Sequence, residues 1–164
     1  MCLCRIDYNA RIPESVHAWK VFREYPDGSL RNCYSQVADE IQPIGQELTA
    51  RCTEHYATRG MHYPAGFHAT GEDYAAWLMA LQTRNRDKKY ARKVREQLDV
   101  IQCRWYDGTY RCPSASPLDV TVQPPQHNYI MREVVLTDIL CVGRQRANGR
   151  TYRTWVARKM RILP

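Results

Sequence analysis

The chain has 164 residues, with 24 Lys and Arg against 17 Asp and Glu and a formal net charge of +7. Its hydrophobic fraction of 44% excludes a disordered chain. No apolar run approaches the roughly 20 residues of a membrane helix, and the N-terminus lacks a signal-peptide pattern. We therefore expect one cytoplasmic domain over residues 1–164 that does not engage a membrane, and a basic field that attracts anionic partners.

Seven cysteines are present. Because their number is odd and no secretory signal precedes them, we expect free thiols rather than a disulfide framework. No C-x-x-C spacing occurs, and we expect neither a metal nor a cofactor. The alternative is a zinc site formed by Cys103, Cys112 and His127.

The first predicted element is a β-hairpin. Residues Val16 to Tyr25 form one strand, with Trp19 and Val21 on one face and Ala18 and Phe22 on the other. A Pro-Asp-Gly-Ser turn follows at positions 26–29, and Leu30 to Tyr34 returns as the partner strand. Farther along, Val37, Ile41 and Ile44 have the spacing of a short helix, which Pro43 and Gly45 interrupt.

A helix is predicted in the middle of the chain. A short strand runs from His62 to Ala69, and Thr70 then has the character of an N-cap. Apolar residues recur at helical spacing, fade at positions 83–87 and resume at Tyr90. This pattern fits either one long helix or two helices that meet near Asn85. Proline and glycine are frequent in residues 106–128, so the block around 84–128 is interpreted as an insertion or long loop.

The C-terminal part is predicted to be a second hairpin. Tyr129 to Val142 forms one strand, Asn148 and Gly149 favour a tight turn, and Thr151 to Leu163 forms the return strand. The fold class is therefore α+β, a mainly antiparallel sheet with N- and C-terminal hairpins and one or two helices packed on one face. The predicted core comprises Trp19, Phe22, Phe67, Trp77, Leu81, Val135, Val156 and Ile162.

Two basic runs concentrate the charge. Residues 84–95 and 144–161 hold seven cations each, 14 of the 24 in the chain, with one acid between them. Either both runs are solvated faces, or they form or flank the surface that contacts an anionic partner. The predicted contact residues are Arg84, Arg86, Lys88, Lys89, Arg92, Lys93 and Arg95 in the first run, and Arg144, Arg146, Arg150 and Arg153 in the second.

A candidate ligand pocket is predicted around Tyr63, His62 and His68. Histidine and tyrosine beside Pro64 and Gly66 can serve a binding or catalytic site, although structural histidines are the more frequent outcome. No nucleophile elbow, Walker A sequence, dinucleotide fingerprint or zinc-deaminase pattern occurs. We therefore assign no catalytic residue.

Four segments resemble a family of small bacteriophage and prophage proteins. The segments are Trp19–Phe22, Tyr63–Ala69 (YPAGFHA), Glu72–Ala75 and Val156–Leu163. The resemblance implies a phage accessory protein, such as an inhibitor of bacterial defence of the anti-CRISPR kind. Gly66 and Phe67 before a helix are also similar to ADP-ribosyltransferase-like folds, which implies NAD or another nucleotide as substrate.

The expected function is therefore non-enzymatic binding of an anionic partner. In the inhibitor hypothesis, the partner is a host defence protein with an acidic or nucleic-acid-binding surface, or an anionic ligand that the protein sequesters in the host cytoplasm. The first alternative is direct binding of nucleic acid. The second is an enzyme that processes NAD or nucleotides around Tyr63, His62 and His68.

Overall fold

The computed structural model describes residues 3–33, 40–50, 54–57, 61–106 and 122–164. Within these residues, nine strands and one helix follow in chain order. They are β1 (Arg5–Ile6), β2 (Ser15–Glu24), β3 (Leu30–Asn32), β4 (Glu47–Thr49), β5 (Glu54–Ala57), β6 (Met61–Pro64), β7 (Phe67–Thr70), α1 (Glu72–Tyr106), β8 (Asn128–Ala147) and β9 (Arg150–Ile162). The predicted fold class, a mainly antiparallel sheet with a helix packed on it, is confirmed.

Four strands form a closed circuit of antiparallel pairing. The 20-residue β8 pairs with β2 through residues 128–137 and with β9 through residues 134–147. The circuit is closed by β7, whose Thr70 is opposite Trp19 of β2 and Thr154 of β9. The main apolar core lies on one face of these strands and includes Phe22, Leu136 and Ile162. The register of these strand pairs determines which side chains of neighbouring strands lie next to each other.

Both predicted hairpins are confirmed. Between β2 and β3, the amide of Gly28 donates to the carbonyl of Tyr25 at 2.9 Å, and Gly28 has a φ of 77°. Between β8 and β9, Asn148 and Gly149 have φ of 47° and 71°, as a tight hairpin turn requires. Within β8, Asp138 has a φ of 53°, and the register with β9 shifts between residues 139 and 141.

The predicted core is only partly correct. Phe22, Val156 and Ile162 are fully buried. Val135 is half-buried, and Val134 and Leu136 on either side of it are buried instead. An apolar run of three residues gives no period, so the inward face of β8 could not be read from it. The remaining predicted core residues are partly buried: Trp19, Phe67, Trp77 and Leu81.

The helix is one continuous element of 35 residues. Of the two arrangements that the sequence left open, the single long helix is the observed one, and residues 84–106 belong to it rather than to a loop. Thr70 is not the N-cap: it is the last residue of β7, and the first helical hydrogen bond runs from the amide of Ala75 to the carbonyl of Gly71. No helix in the described ranges combines the length and apolar character needed to cross a bilayer.

The segment between β3 and β4 contains no helix over residues 40–50. Ile41 forms an isolated bridge with Arg31, and Ile44 forms one with Ile162. Both isoleucine side chains are exposed. The helix suggested by the spacing of Val37, Ile41 and Ile44 is therefore wrong for its second half, while Val37 lies outside the described residues.

Candidate anion-binding site

Three arginines lie side by side on three adjacent strands. Arg5 of β1 is the cross-strand partner of Arg144 in β8, and Arg144 is the partner of Arg153 in β9. All three residues are exposed. Adjacent strands are about 4.8 Å apart, so the backbone positions span about 10 Å. We call this set the arginine row.

The arginine row opposes folding unless something neutralises it. Like charges directly opposite each other on neighbouring strands are destabilising. Among the described residues, no carboxylate forms an ion pair with Arg5, Arg144 or Arg153. The guanidinium of Arg153 lies 5.9 Å from the ring centroid of Trp155, a cation–π contact that orients it. The row is therefore an oriented, uncompensated cationic surface.

The arginine row lies on the face of the β8–β9 hairpin that is turned away from α1. Gln145 pairs with Tyr152, and the ring of Tyr152 is 4.7 Å from that of Tyr74 in α1. Successive residues of a strand alternate between faces, so Arg144 and Arg153, the neighbours of that pair, are directed to the opposite face. Arg144 and Arg153 of the second basic run are thus on a different surface from the first run, which lies on α1.

The hairpin tip extends the cationic surface. Arg146 pairs with Thr151, Arg150 pairs with Ala147, and both arginines are exposed. Arg146 shares the face of Arg144, because the two residues are two positions apart in β8. Arg150, the partner of Ala147, is directed to the opposite face by the same alternation, so only Arg146 continues the arginine row. The sequence identified these arginines but missed Arg5, which comes next to them only because β1 pairs with β8.

In the first basic run, Arg86 has a structural role. Its Nη1 donates to the carbonyl of His127 at 2.7 Å and to Oδ1 of Asn128 at 3.0 Å, and its Nε donates to Oδ1 of Asp87 at 2.9 Å. Its side chain is only 18% exposed. Arg86 therefore braces α1 against the start of β8 and is not presented to a partner.

The other cations of this run are exposed on α1: Arg84, Lys88, Lys89, Arg92, Lys93 and Arg95. Arg92 forms an i,i+4 ion pair with Glu96 at 3.4 Å. Such an exposed pair contributes only a few tenths of a kcal/mol. This helix surface therefore stays cationic.

Arg86→Ala is expected to lower the free energy of unfolding by about 2 kcal/mol, since it removes charge-assisted hydrogen bonds from a mostly buried guanidinium. Urea unfolding measures this loss. Arg84→Ala is the matched control, because Arg84 is an exposed arginine on the same helix. Equal free energies of unfolding of the two variants would show that Arg86 does not stabilise the contact between α1 and the start of β8.

The candidate pocket is only partly assembled. The rings of Tyr63 and His68 are 5.7 Å apart, and the hydroxyl of Tyr63 accepts a hydrogen bond from the amide of Leu3 at 3.2 Å. Tyr63 is buried in an apolar cluster with Leu3, Ile6 and Val156, whereas His62 is exposed. The geometry therefore gives Tyr63 a packing role, and it brings His68 but not His62 to it.

The described cysteines Cys4, Cys33 and Cys141 are free thiols. Burial raises the pKa of both Cys33 and Cys141 to about 11, which keeps them protonated at neutral pH. Cys112 and the side chain of Cys103 lie outside the described residues, so the zinc alternative stays a hypothesis. Across the described ranges, no three His, Cys, Asp or Glu side chains are grouped as metal ligands.

The chain is thus a small α+β protein with a cationic surface on one face of its sheet. Neither a protein-family model, nor a curated protein, nor a solved structure matches this chain. The chemistry of its surfaces is therefore what indicates its function.

Proposed function

We propose that this chain is a non-enzymatic binding protein whose arginine row contacts the phosphate backbone of a nucleic acid. The observation that supports the proposal is the cross-strand alignment of Arg5, Arg144 and Arg153 without a carboxylate partner among the described residues. Guanidinium groups bind phosphate through two parallel hydrogen bonds, which gives arginine an advantage over lysine at such sites.

The dimensions of the row favour a polymer over a single small anion. A DNA strand presents one phosphate per 3.4 Å of helix axis, so the row of about 10 Å extends over about three phosphate-to-phosphate intervals. Exposed Arg146, which shares the face of Arg144, continues the same surface. A single phosphate or carboxylate would neutralise only part of it.

The double variant Arg144→Ala/Arg153→Ala tests this proposal. Each phosphate contact contributes about −0.9 to the slope of log K against log salt concentration. The double variant should therefore weaken binding to labelled DNA and make the slope shallower by about 1.8. Fluorescence anisotropy titrations between about 50 and about 200 mM salt measure both quantities.

The matched control is Arg11→Ala/Arg161→Ala, which removes the same charge from exposed arginines outside the row. Its slope should stay close to that of the wild type. If the wild-type protein does not bind DNA at low salt, or if polyglutamate competes as well as DNA does, the phosphate proposal is wrong. The second result would favour an acidic protein as the partner.

A further inference from the structure

A second cationic surface lies on the other face of the sheet, next to α1. Arg23 of β2 pairs with Arg31 of β3 on one side and with Tyr129 of β8 on the other. These three side chains therefore share one face. Val21, two positions before Arg23, packs against α1 on this face. This surface is separate from the arginine row, which lies on the face turned away from α1.

Aromatic rings continue this surface. The ring of His127 is 5.5 Å from that of Tyr25 and meets Tyr129 edge-on at 5.1 Å. The guanidinium of Arg31 stacks over Tyr25 at 4.5 Å from the ring centroid. All of these side chains are partly exposed. We call Tyr25, His127 and Tyr129, together with Arg23 and Arg31, the aromatic cluster.

The aromatic cluster is held rigidly on two sides. Arg86 of α1 donates to the carbonyl of His127 and to the side chain of Asn128. On the other side, Nε of Arg23 donates to the carbonyl of Asn32 at 3.2 Å. Burial, with smaller contributions from Arg23 and Arg86, lowers the pKa of His127, so its imidazole is neutral at pH 7. A neutral ring can stack without adding to the local positive charge.

Further cations of α1 lie on the side of the helix from which Arg86 contacts the aromatic cluster. Lys89 and Lys93 follow Arg86 by three and seven residues, so they lie on the same side of the helix. Both are exposed. In the sequence these lysines belong to a basic run that has no evident connection with the aromatic residues. The register of β2, β3 and β8 makes that connection.

We propose that the aromatic cluster binds an unpaired base of single-stranded nucleic acid and that its arginines and the nearby lysines hold the flanking phosphates. Stacking on aromatic side chains inside a positive groove is how proteins bind single strands without sequence preference. A base in a duplex has both faces covered by its neighbours and is not available for such stacking. The inference rests on the proposed function, because both surfaces contact the same polymer.

Tyr25→Ala tests the inference. The variant removes one stacking contact, so the affinity for an oligo-dT of about 16 nucleotides should fall about tenfold. The affinity for a duplex of the same length should not change. Tyr25→Phe keeps the ring and should retain wild-type affinity for oligo-dT. The measurement is fluorescence anisotropy at low salt, with thermal unfolding of each variant as a check of folding.

The control for loss of a surface tyrosine is Tyr8→Ala, since Tyr8 is 83% exposed and lies outside the cluster. If Tyr25→Ala fails to fold, Tyr25→Leu keeps an apolar side chain at the hairpin while removing the ring. Unchanged affinity for oligo-dT in the variant that folds, or equal losses for oligo-dT and duplex, would overturn the inference.

The experiments distinguish a failure of the arginine-row proposal from a failure of the aromatic-cluster proposal. If wild-type protein binds DNA and only the arginine-row variant weakens it, the arginine row stands and the aromatic cluster is not a binding site. If only the Tyr25 variant weakens binding, the aromatic cluster stands and the arginine row is not the contact. Absence of binding to either form of DNA would overturn both.

Discussion

Replacing Lys20 with methionine is expected to stabilise the protein at neutral pH and to lose that advantage as the pH approaches the ordinary pKa of lysine. Burial lowers the pKa of Lys20 from 10.5 to about 8, against a smaller opposing effect of Cys33. One unit of pKa corresponds to 1.36 kcal/mol, so keeping Lys20 charged in the folded protein costs about 3 kcal/mol at pH 7.

The position of Lys20 explains this cost. Its neighbours on the same face of β2 are Ala18 and Phe22, which belong to the main core. Across the strand pair, it is opposite Arg132 rather than an acid. Its Nζ donates a hydrogen bond to the carbonyl of His68 at 3.1 Å. One hydrogen bond to a neutral carbonyl offsets only part of the loss of hydration of the ammonium group.

The sign of the pH effect follows from the lowered pKa. Below about pH 8, Lys20 is charged in both the folded and unfolded states, and the folded state carries the full cost. Between about pH 8 and pH 10.5 the unfolded state binds more protons than the folded state. The free energy of unfolding of the wild type therefore increases with pH in this range. Cys33 and Cys141, whose pKa values are raised to about 11, act in the opposite direction. Their effect is common to both proteins, so most of it cancels in the difference.

Urea unfolding of the wild type and Lys20→Met at a series of pH values measures this difference. The free energy of unfolding of Lys20→Met should exceed that of the wild type at neutral pH, and this difference should decrease by about 3 kcal/mol by about pH 11. Lys159→Met is the control, since Lys159 is paired with Glu47 at 2.8 Å and its pKa is raised instead. That variant should not be stabilised. A gap for Lys20→Met that stays constant with pH would contradict the explanation.

The hairpins could be predicted because their causes are local. Gly28 takes the positive φ that its turn requires, and Asn148 with Gly149 does the same between β8 and β9. The alternation in β2 also separated Ala18 and Phe22 from Trp19 and Val21 correctly. The same alternation places Lys20 on the core face with Ala18 and Phe22. The position of this lysine in the core could therefore have been predicted from the sequence.

The candidate sites could not be predicted because their causes are not local. Arg5 belongs to a strand of two residues, too short to have a periodic pattern. It joins Arg144 only through pairing between segments 139 residues apart. Likewise, Arg23, Arg31 and Tyr129 meet through two different strand pairings. The basic runs were visible in the sequence, but the strand register determines which of their members lie next to one another.

Gly143 allows β1, which carries Arg5 of the arginine row, to pack closely against β8. It is the cross-strand partner of Ile6 in β1. A Cβ atom at position 143 would lie 2.6 Å from the carbonyl oxygen of Arg5 and 2.6 Å from Cδ1 of Leu3. The first of these is a backbone atom, so relieving the clash requires that β1 move away from β8. Two hydrogen bonds that hold β1 flank this point, from the amide of Cys4 to Arg144 and from the amide of Asp7 to Val142.

Gly143→Ala is therefore expected to displace β1, which exposes Leu3 and removes Arg5 from the arginine row. The loss of packing should lower the free energy of unfolding by about 2 to 4 kcal/mol. In the same variant, the slope of log K for DNA against log salt should become shallower by about 0.9, because one phosphate contact is lost. Urea unfolding and anisotropy titrations of the folded variant measure the two effects.

Gly66→Ala separates general destabilisation from loss of the site. A Cβ atom at position 66 would lie 2.5 Å from the carbonyl oxygen of Ala157, a clash of the same kind. The clash at position 66 is with the backbone of β9, whereas the clash at position 143 is with the backbone of β1, so this variant should lose similar stability while keeping the wild-type salt slope. Gly71→Ala, where an added Cβ meets nothing within 4 Å, controls for the loss of glycine itself. If Gly143→Ala and Gly66→Ala change the salt slope equally, β1 does not deliver Arg5 to the phosphate contact.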